Sequence, residues 1–214
     1  LSQDAAQLVK KIEELKKSAT KRKFTQSVEL LVKLREIDVN KPESRINELV
    51  ELPNPPKKPV KVCVIASGEM ALRARRAGAD EVMEKEDLDK VAKDRKAAKK
   101  LANSFDHFVA EAPLMPLVGK SLGAVLGPRG KMPAPIPPNA PIEDIIQRHR
   151  RMVRVRVRNQ PVIQCRVGTE DMEEPKLVEN INAILTALER RLERGNRNID
   201  SVMVKPTMGP TIKI

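Results

Sequence analysis

The segment Val60-Lys-Val-Cys-Val-Ile-Ala66 limits the fold more than any other, because it is apolar almost throughout, as a strand covered on both faces must be. Such strands belong to parallel sheets sandwiched between helices. It follows Leu52-Pro-Asn-Pro-Pro-Lys-Lys-Pro59, where four prolines in eight residues make a stiff linker. Beyond it the pattern alternates. Gly68 opens a helix running through Arg76, Gly78–Val82 reads as a short parallel strand, and a charged helix spans 86–102. Phe105–Ala110 is another strand, and Pro113 begins a further helical stretch. Strand and helix in alternation with short links predict a parallel α/β layer, half of a nucleotide-binding fold. The Pro/Gly-rich residues 126–141 are expected to form a loop, followed by a helix at 142–151.

The flanks are written differently. Residues 2–18 place Ala5, Leu8, Val9, Ile12 and Leu15 on one helical face, with Ser2 positioned as cap. Phe24–Leu34 alternates Val28, Leu30, Val32 and Leu34 against Ser27, Glu29 and Lys33, a strand with one wet face. After a turn at Asn40-Lys41-Pro42, a weaker strand covers 46–52. Val153, Val155 and Val157 alternate with Arg154, Arg156 and Arg158, and Val162–Gly168 is expected to be the hairpin partner of that strand. Pro175–Arg194 predicts a long amphipathic helix ended at Gly195. The closing stretch, Ser201–Ile214, reads as strand, kink and strand, with the kink at Pro206-Thr-Met-Gly-Pro210. Met208 there either folds inward as a hairpin tip or stands out on a rigid loop.

These styles predict α/β and α+β folds in one chain: a parallel, Rossmann-like α/β domain (58–153) inserted into a mainly antiparallel α+β domain (1–57 and 154–214). Phe24–Leu34 and Ser201–Ile214 should then lie side by side in one sheet.

Lys and Arg number 41 against 29 Asp and Glu, a formal net charge of +12, which favours a polyanion such as nucleic acid. No long apolar run or signal segment is evident, so a soluble, intracellular protein without membrane attachment is expected. The aromatic content narrows the mode of binding: with no Trp, no Tyr and three Phe, base stacking is not available as a general device. A folded RNA shape, read through phosphates and sugars, fits better. Cys63 and Cys165 are expected to be buried free thiols, and with His107 and His149 they make no metal or catalytic constellation. No cofactor and no enzymatic activity are expected.

Gly119, Gly123, Gly127 and Gly130, interleaved with Lys120, Arg129 and Lys131, suggest a phosphate loop, but Leu114 stands where the first glycine of a P-loop belongs. Two readings stay open for this segment, a basic loop touching RNA phosphate and a structural wrap. The Arg154/Arg156/Arg158 face likewise stays open between a solvated edge and an anion surface.

Three motifs, Lys23-Phe-Thr-Gln-Ser-Val-Glu29, Leu126-Gly-Pro-Arg-Gly-Lys-Met-Pro133 and Thr207-Met-Gly-Pro210, resemble the family of large-subunit ribosomal protein number one, in order and over essentially the whole chain. After Gly130, Lys131 and the proline-rich Ala134–Pro141 depart from the bacterial pattern and resemble the archaeal branch. The resemblance implies a cytoplasmic, ribosome-associated protein of the large ribosomal subunit's mobile stalk. It implies large-subunit rRNA as partner, a role in moving and releasing exit-site tRNA, and repression of the protein's own messenger RNA. A general RNA chaperone away from the ribosome is the alternative. Carried over by position, the rRNA-binding face comprises Lys23, Phe24, Thr25 and Ser27 on the first strand, Thr207, Met208 and Gly209 in the closing loop, then Ser201, Gln164 and Arg166.

Overall fold

The computed structural model describes residues 5–20, 22–39, 46–55 and 60–214. The expected Ser2 cap, Lys21, the Asn40–Pro42 turn and the last four linker residues lie outside the described residues. The chain divides into two compact units, Leu1–Lys58 with Arg151–Ile214, and Pro59–Arg150.

In the first unit, helix α1 (Ala5–Ser18) precedes strands β1 (Ser27–Leu34) and β2 (Asn47–Glu51). The chain returns to this unit with β7 (Met152–Arg156), β8 (Val162–Thr169), α7 (Glu174–Arg191), β9 (Ile199–Pro206) and β10 (Ile212–Lys213). The sheet order is β10-β9-β1-β8, and each neighbouring pair is antiparallel. The expected pairing of the first and closing strands is therefore present, from Val28↔Pro206 to Leu34↔Ile199. Alternation explains the layering. Val28, Leu30, Val32 and Leu34 point into a core shared with Leu8, Ile12 and Leu15 of α1 and Leu177, Ile181, Ile184 and Leu188 of α7. Each such side chain contributes about 1.5–3 kcal/mol by leaving water. Asn180, fully buried in α7, donates to Val167 O and Asn54 O (2.7 Å each) and accepts from Asn54 N (2.9 Å).

The second unit holds β3 (Val62–Ile65), α2 (Gly68–Arg76), β4 (Glu81–Met83), α3 (Lys85–Lys93), α4 (Arg95–Ser104), β5 (His107–Glu111), α5 (Met115–Arg129), β6 (Ala134–Ile136) and α6 (Ile142–Arg151), the last ending at the junction. Its sheet, β4-β3-β5-β6, is wholly parallel. All four residues of β3 are buried: Val62 and Val64 pack with Met70 of α2 and Ile146 of α6, Cys63 and Ile65 with Leu88, Ala98 and Leu122 of α3, α4 and α5. This is the covered parallel layer that Val60–Ala66 predicted.

Several expectations need correcting. β1 starts at Ser27, so Lys23, Phe24 and Thr25 precede the strand. β7 is not the hairpin partner of β8: it pairs with β2, Asn47↔Arg156 to Glu51↔Met152, and Arg158 lies past its end. The charged helix is two helices broken at Asp94, whose side chain accepts from Lys96 N and caps α4. The expected loop at 126–141 begins as the last turn of α5. Val118, Leu122 and Leu126 are fully buried at helical spacing, which outweighs the roughly 1 kcal/mol cost of each interior glycine. That helix ends where Gly130 turns left-handed (φ 70°) and Lys131 N bonds Leu126 O at 3.0 Å. α7 stops at Arg191 rather than Arg194, and Gly195 (φ 53°) enters a short 3-10 turn instead of capping the helix.

Candidate nucleic-acid interface

At the end of the sheet where β1 begins, the closing loop is clasped to the first strand through backbone and hydroxyl. Thr207 N donates to Ser27 O at 2.9 Å, Ser27 N donates to Thr207 Oγ1 at 3.0 Å, and that hydroxyl donates to Ser27 O at 3.2 Å. Ser27 and Thr207 thus continue the ladder past the last β1–β9 pair, with the Thr207 hydroxyl in place of a second backbone group. The Thr207 hydroxyl is engaged as donor and as acceptor, which leaves one lone pair for an incoming group.

Beneath the clasp lies Gln26, 0% exposed. Its carboxamide oxygen accepts from Met208 N at 3.1 Å, and its Nε2 donates to Thr20 O at 3.1 Å and Glu170 Oε2 at 3.2 Å. Gln26 N donates to the other oxygen of Glu170 (2.9 Å), and Glu170 N donates to Gln26 O (2.9 Å). Every polar group of this side chain is met, so its burial does not incur the about 1–3 kcal/mol of an unmade bond. The result is a loop held from below with its outer face bare: Met208 is 52% exposed and Phe24 49%. Met208 therefore stands out and does not fold into the core. Gly209 is needed for close approach, since a Cβ there would lie 2.3 Å from Pro206 Cγ.

The remaining expected residues share one sheet face but not one end of it. On the side of β1 away from the helices stand Ser27, Glu29, Leu31 and Lys33. Arg166 pairs with Glu29, close to the clasp, and Gln164 pairs with Leu31 while donating to Glu29 Oε2 at 2.6 Å. Ser201 pairs with Lys33, about 20 Å from Ser27 at the ~3.3 Å rise of a strand. Ser27, Arg166 and Thr207–Gly209 thus share the clasped end, Lys23, Phe24 and Thr25 lead into it along the chain, Gln164 is midway, and Ser201 is remote.

Sequence reasoning missed Gln26 and Glu170. A signal existed for the first: Gln26 shares the parity of Val28 and Leu30, so the alternation already aimed a polar side chain inward, where it must be satisfied. For Glu170 no local signal exists, because it is brought to Gln26 by the β1–β8 pairing.

In the second unit, Lys120 is exposed on α5. Arg129 donates to Lys99 O at 3.2 Å, and Lys131 donates to Ala102 O (2.9 Å) and Phe105 O (2.6 Å). Lys131 thus serves carbonyls at the C-terminal end of α4, where positive charge is favoured, and Arg129 a carbonyl midway along it. The wrap reading thus accounts for both. On β7, Arg154 donates to Asn47 Oδ1 at 3.3 Å; burial, and then the neighbouring Arg156, hold its guanidinium below the ordinary range. Cys63 and Cys165 are buried free thiols, each pushed up to about 12 chiefly by burial. His107 and His149 are buried and pack edge to face at 6.1 Å. Among the described residues no cluster of three metal-ligating side chains occurs, and no helix is long and apolar enough to cross a membrane.

Comparison with known proteins fits this arrangement. The ribosomal protein L1p/L10e family matches residues 15–210. The large ribosomal subunit protein uL1 of Methanothermobacter thermautotrophicus is 48% identical, covering all of both chains. The protein of the same name from Thermofilum pendens is 51% identical over 94% of this chain and 89% of its own. That of Archaeoglobus fulgidus is 47% identical over 99% and 98%. The chain belongs to the ribosomal protein L1p/L10e family, in its archaeal form: a cytoplasmic, ribosome-associated, non-enzymatic constituent of the large subunit that binds rRNA.

Proposed function

We propose that this protein grips a folded segment of large-subunit rRNA with the clasped end of its four-stranded sheet, using Phe24, Ser27 and Thr207–Gly209 as the shaped contact. Lys23, Thr25 and Arg166 would border that contact, with Gln164 and Ser201 farther along the same face. The observation that carries the reading is the Thr207–Ser27 clasp over buried Gln26, which presents exposed Met208 and Phe24 on a pre-ordered backbone. A rigid patch of hydroxyl, amides and apolar side chains suits the sugar-lined minor groove of RNA, where 2′-hydroxyls need donors and acceptors. Its order is already present before binding, so little entropy is lost. The surrounding cations add a salt-dependent term. Through this grip the protein would assist movement and release of deacylated tRNA at the exit site. The same surface, meeting a mimic of the rRNA site on its own messenger, would repress translation. The inserted unit would serve tRNA handling and be dispensable for rRNA affinity.

Filter binding to large-subunit rRNA fragments at rising salt, with tRNA and random RNA as competitors, tests the reading. Fragment-specific binding that keeps its preference at high salt supports it. Equal binding to all RNAs that collapses with salt would leave only a general basic RNA chaperone.

A further inference from the structure

Helix α4, Arg95-Lys-Ala-Ala-Lys-Lys-Leu-Ala-Asn-Ser104, buries Ala98 and Ala102 against the parallel sheet and turns Arg95, Lys96, Lys99 and Lys100 outward, all four exposed. They form two i,i+4 pairs, Arg95 with Lys99 and Lys96 with Lys100, whose Cβ atoms are about 5–6 Å apart. Asn103 and Ser104 complete the exposed arc, so no carboxylate interrupts it. Among the described residues none of the four joins an ion pair. A solvated face normally mixes both signs. This one does not.

Helix stability does not explain the arrangement. Lys99 and Lys100 sit midway along the helix, whose last turn holds no basic residue, and Arg95 and Lys96 occupy the first turn, against the positive end of the helix. That first turn contains no acidic residue, and its cap is the single carboxylate of Asp94, 2.7 Å from Lys96 N. Carbonyls at the other end are already served by Lys131. The four outward cations are therefore surplus to the fold, and they are held at regular spacing on a rigid helix.

We infer that the outer face of α4 is a second RNA contact, binding the phosphodiester backbone of a folded RNA through Arg95, Lys96, Lys99 and Lys100. It carries no aromatic ring for stacking and no mixed donor and acceptor set for reading bases, so it recognises a row of phosphates and not a sequence. Membership of an rRNA-binding family makes RNA the polyanion at hand. The inference deepens the proposed function and rests on it, while relocating the inserted unit's contact from Arg129 and Lys131 to α4.

The test uses the full chain with all four residues changed to Gln, beside a control in which Lys10, Lys17, Arg76 and Lys85, all exposed elsewhere, become Gln. Both variants lose the same charge. Each is titrated with deacylated tRNA, with a large-subunit rRNA fragment and with poly-glutamate across a salt series. The α4 variant should bind one of the two RNAs at least tenfold more weakly than the control variant does. Its log–log salt slope for that RNA should be shallower by about 3, four phosphate contacts at 0.7–0.9 each. Whichever RNA is affected identifies the source of the backbone. Arg95→Gln/Lys96→Gln alone should give about half the effect. Equal losses in both four-residue variants, or a loss seen only with poly-glutamate, would overturn the inference. Retained rRNA affinity in Met208→Ala would instead count against the clasp reading and leave α4 untouched.

Discussion

The side-chain oxygen of Gln26 accepts the backbone amide of Met208 at 3.1 Å, joining residues 182 positions apart. One residue is wholly buried and the other half exposed, so the bond transmits the order of the core to the surface proposed to meet RNA. Replacing Gln26 by Leu keeps much of the volume and removes that order. The Met208 amide, Glu170 Oε2 and Thr20 O lose a partner, while the backbone bond from residue 26 to Glu170 Oε1 stays, and stability should fall by about 1–3 kcal/mol. Affinity for the rRNA fragment should fall further than Thr20 or Glu170 contacts alone would explain. Denaturant titration and filter binding, run on the same preparations, check both outcomes.

Thr207→Val should loosen the clasp without emptying space, since only the hydroxyl bonds to Ser27 are removed. Met208→Ala should leave the clasp intact and remove its exposed apolar face. Each should weaken rRNA binding by about 1–3 kcal/mol with the fold retained. If Arg154→Ala abolishes binding while both variants bind normally, the wrong face has been chosen.

Gly209→Ala should act through the backbone. The added methyl would sit 2.3 Å from the Pro206 ring, so the loop has to move. Melting temperature should barely change, because the loop is at the surface, whereas the rRNA off-rate should rise. An unchanged off-rate would show that the loop tolerates displacement.

Asn180→Ala should be among the more costly substitutions in the first unit. It strands Val167 O, Asn54 O and Asn54 N, two of these bonds reaching the start of the linker. A loss of about 2–4 kcal/mol in denaturant unfolding is expected, the upper part of the range for single changes.

The two thiols predict a pH dependence with a definite sign. Their folded values, about 12, lie above the ordinary 9.0, so the neutral thiol is favoured in the folded state. The corresponding stability is complete below pH 9 and is lost as pH rises from there towards 12. Cys63→Ala/Cys165→Ala should show a flatter stability curve above pH 9 than the natural chain. At pH 8 neither thiol should react with a disulfide reagent until the protein unfolds.

How far the sequence could be read depended on the kind of signal. The two sheet styles were plain, because side-chain period and the run Val60–Ala66 follow from burial on one face or on two. Breaks between elements were harder. Gly127 fell in the expected loop, but it lies with Gly119 and Gly123 in α5, where Val118, Leu122 and Leu126 bury enough surface to override backbone propensity. The exchange of β7's partner was equally hidden, since nothing local states that β2 offers a better ladder than the nearby β8.

The sequence by itself determined the two architectures, the pairing of the first and closing strands, and the surface chemistry: strongly basic and nearly without aromatics. It also marked Phe24 and the Thr207–Gly209 motif. Only the tertiary structure decided what these residues do together: that Thr207 spends its hydroxyl on Ser27, that Arg129 and Lys131 serve α4, and that Gln26 ties the loop to Glu170. The physical reason is range. Periodicity and turn chemistry act within a few residues, whereas a hydrogen bond between partners more than 140 residues apart exists only after sheet registry has brought them to about 3 Å.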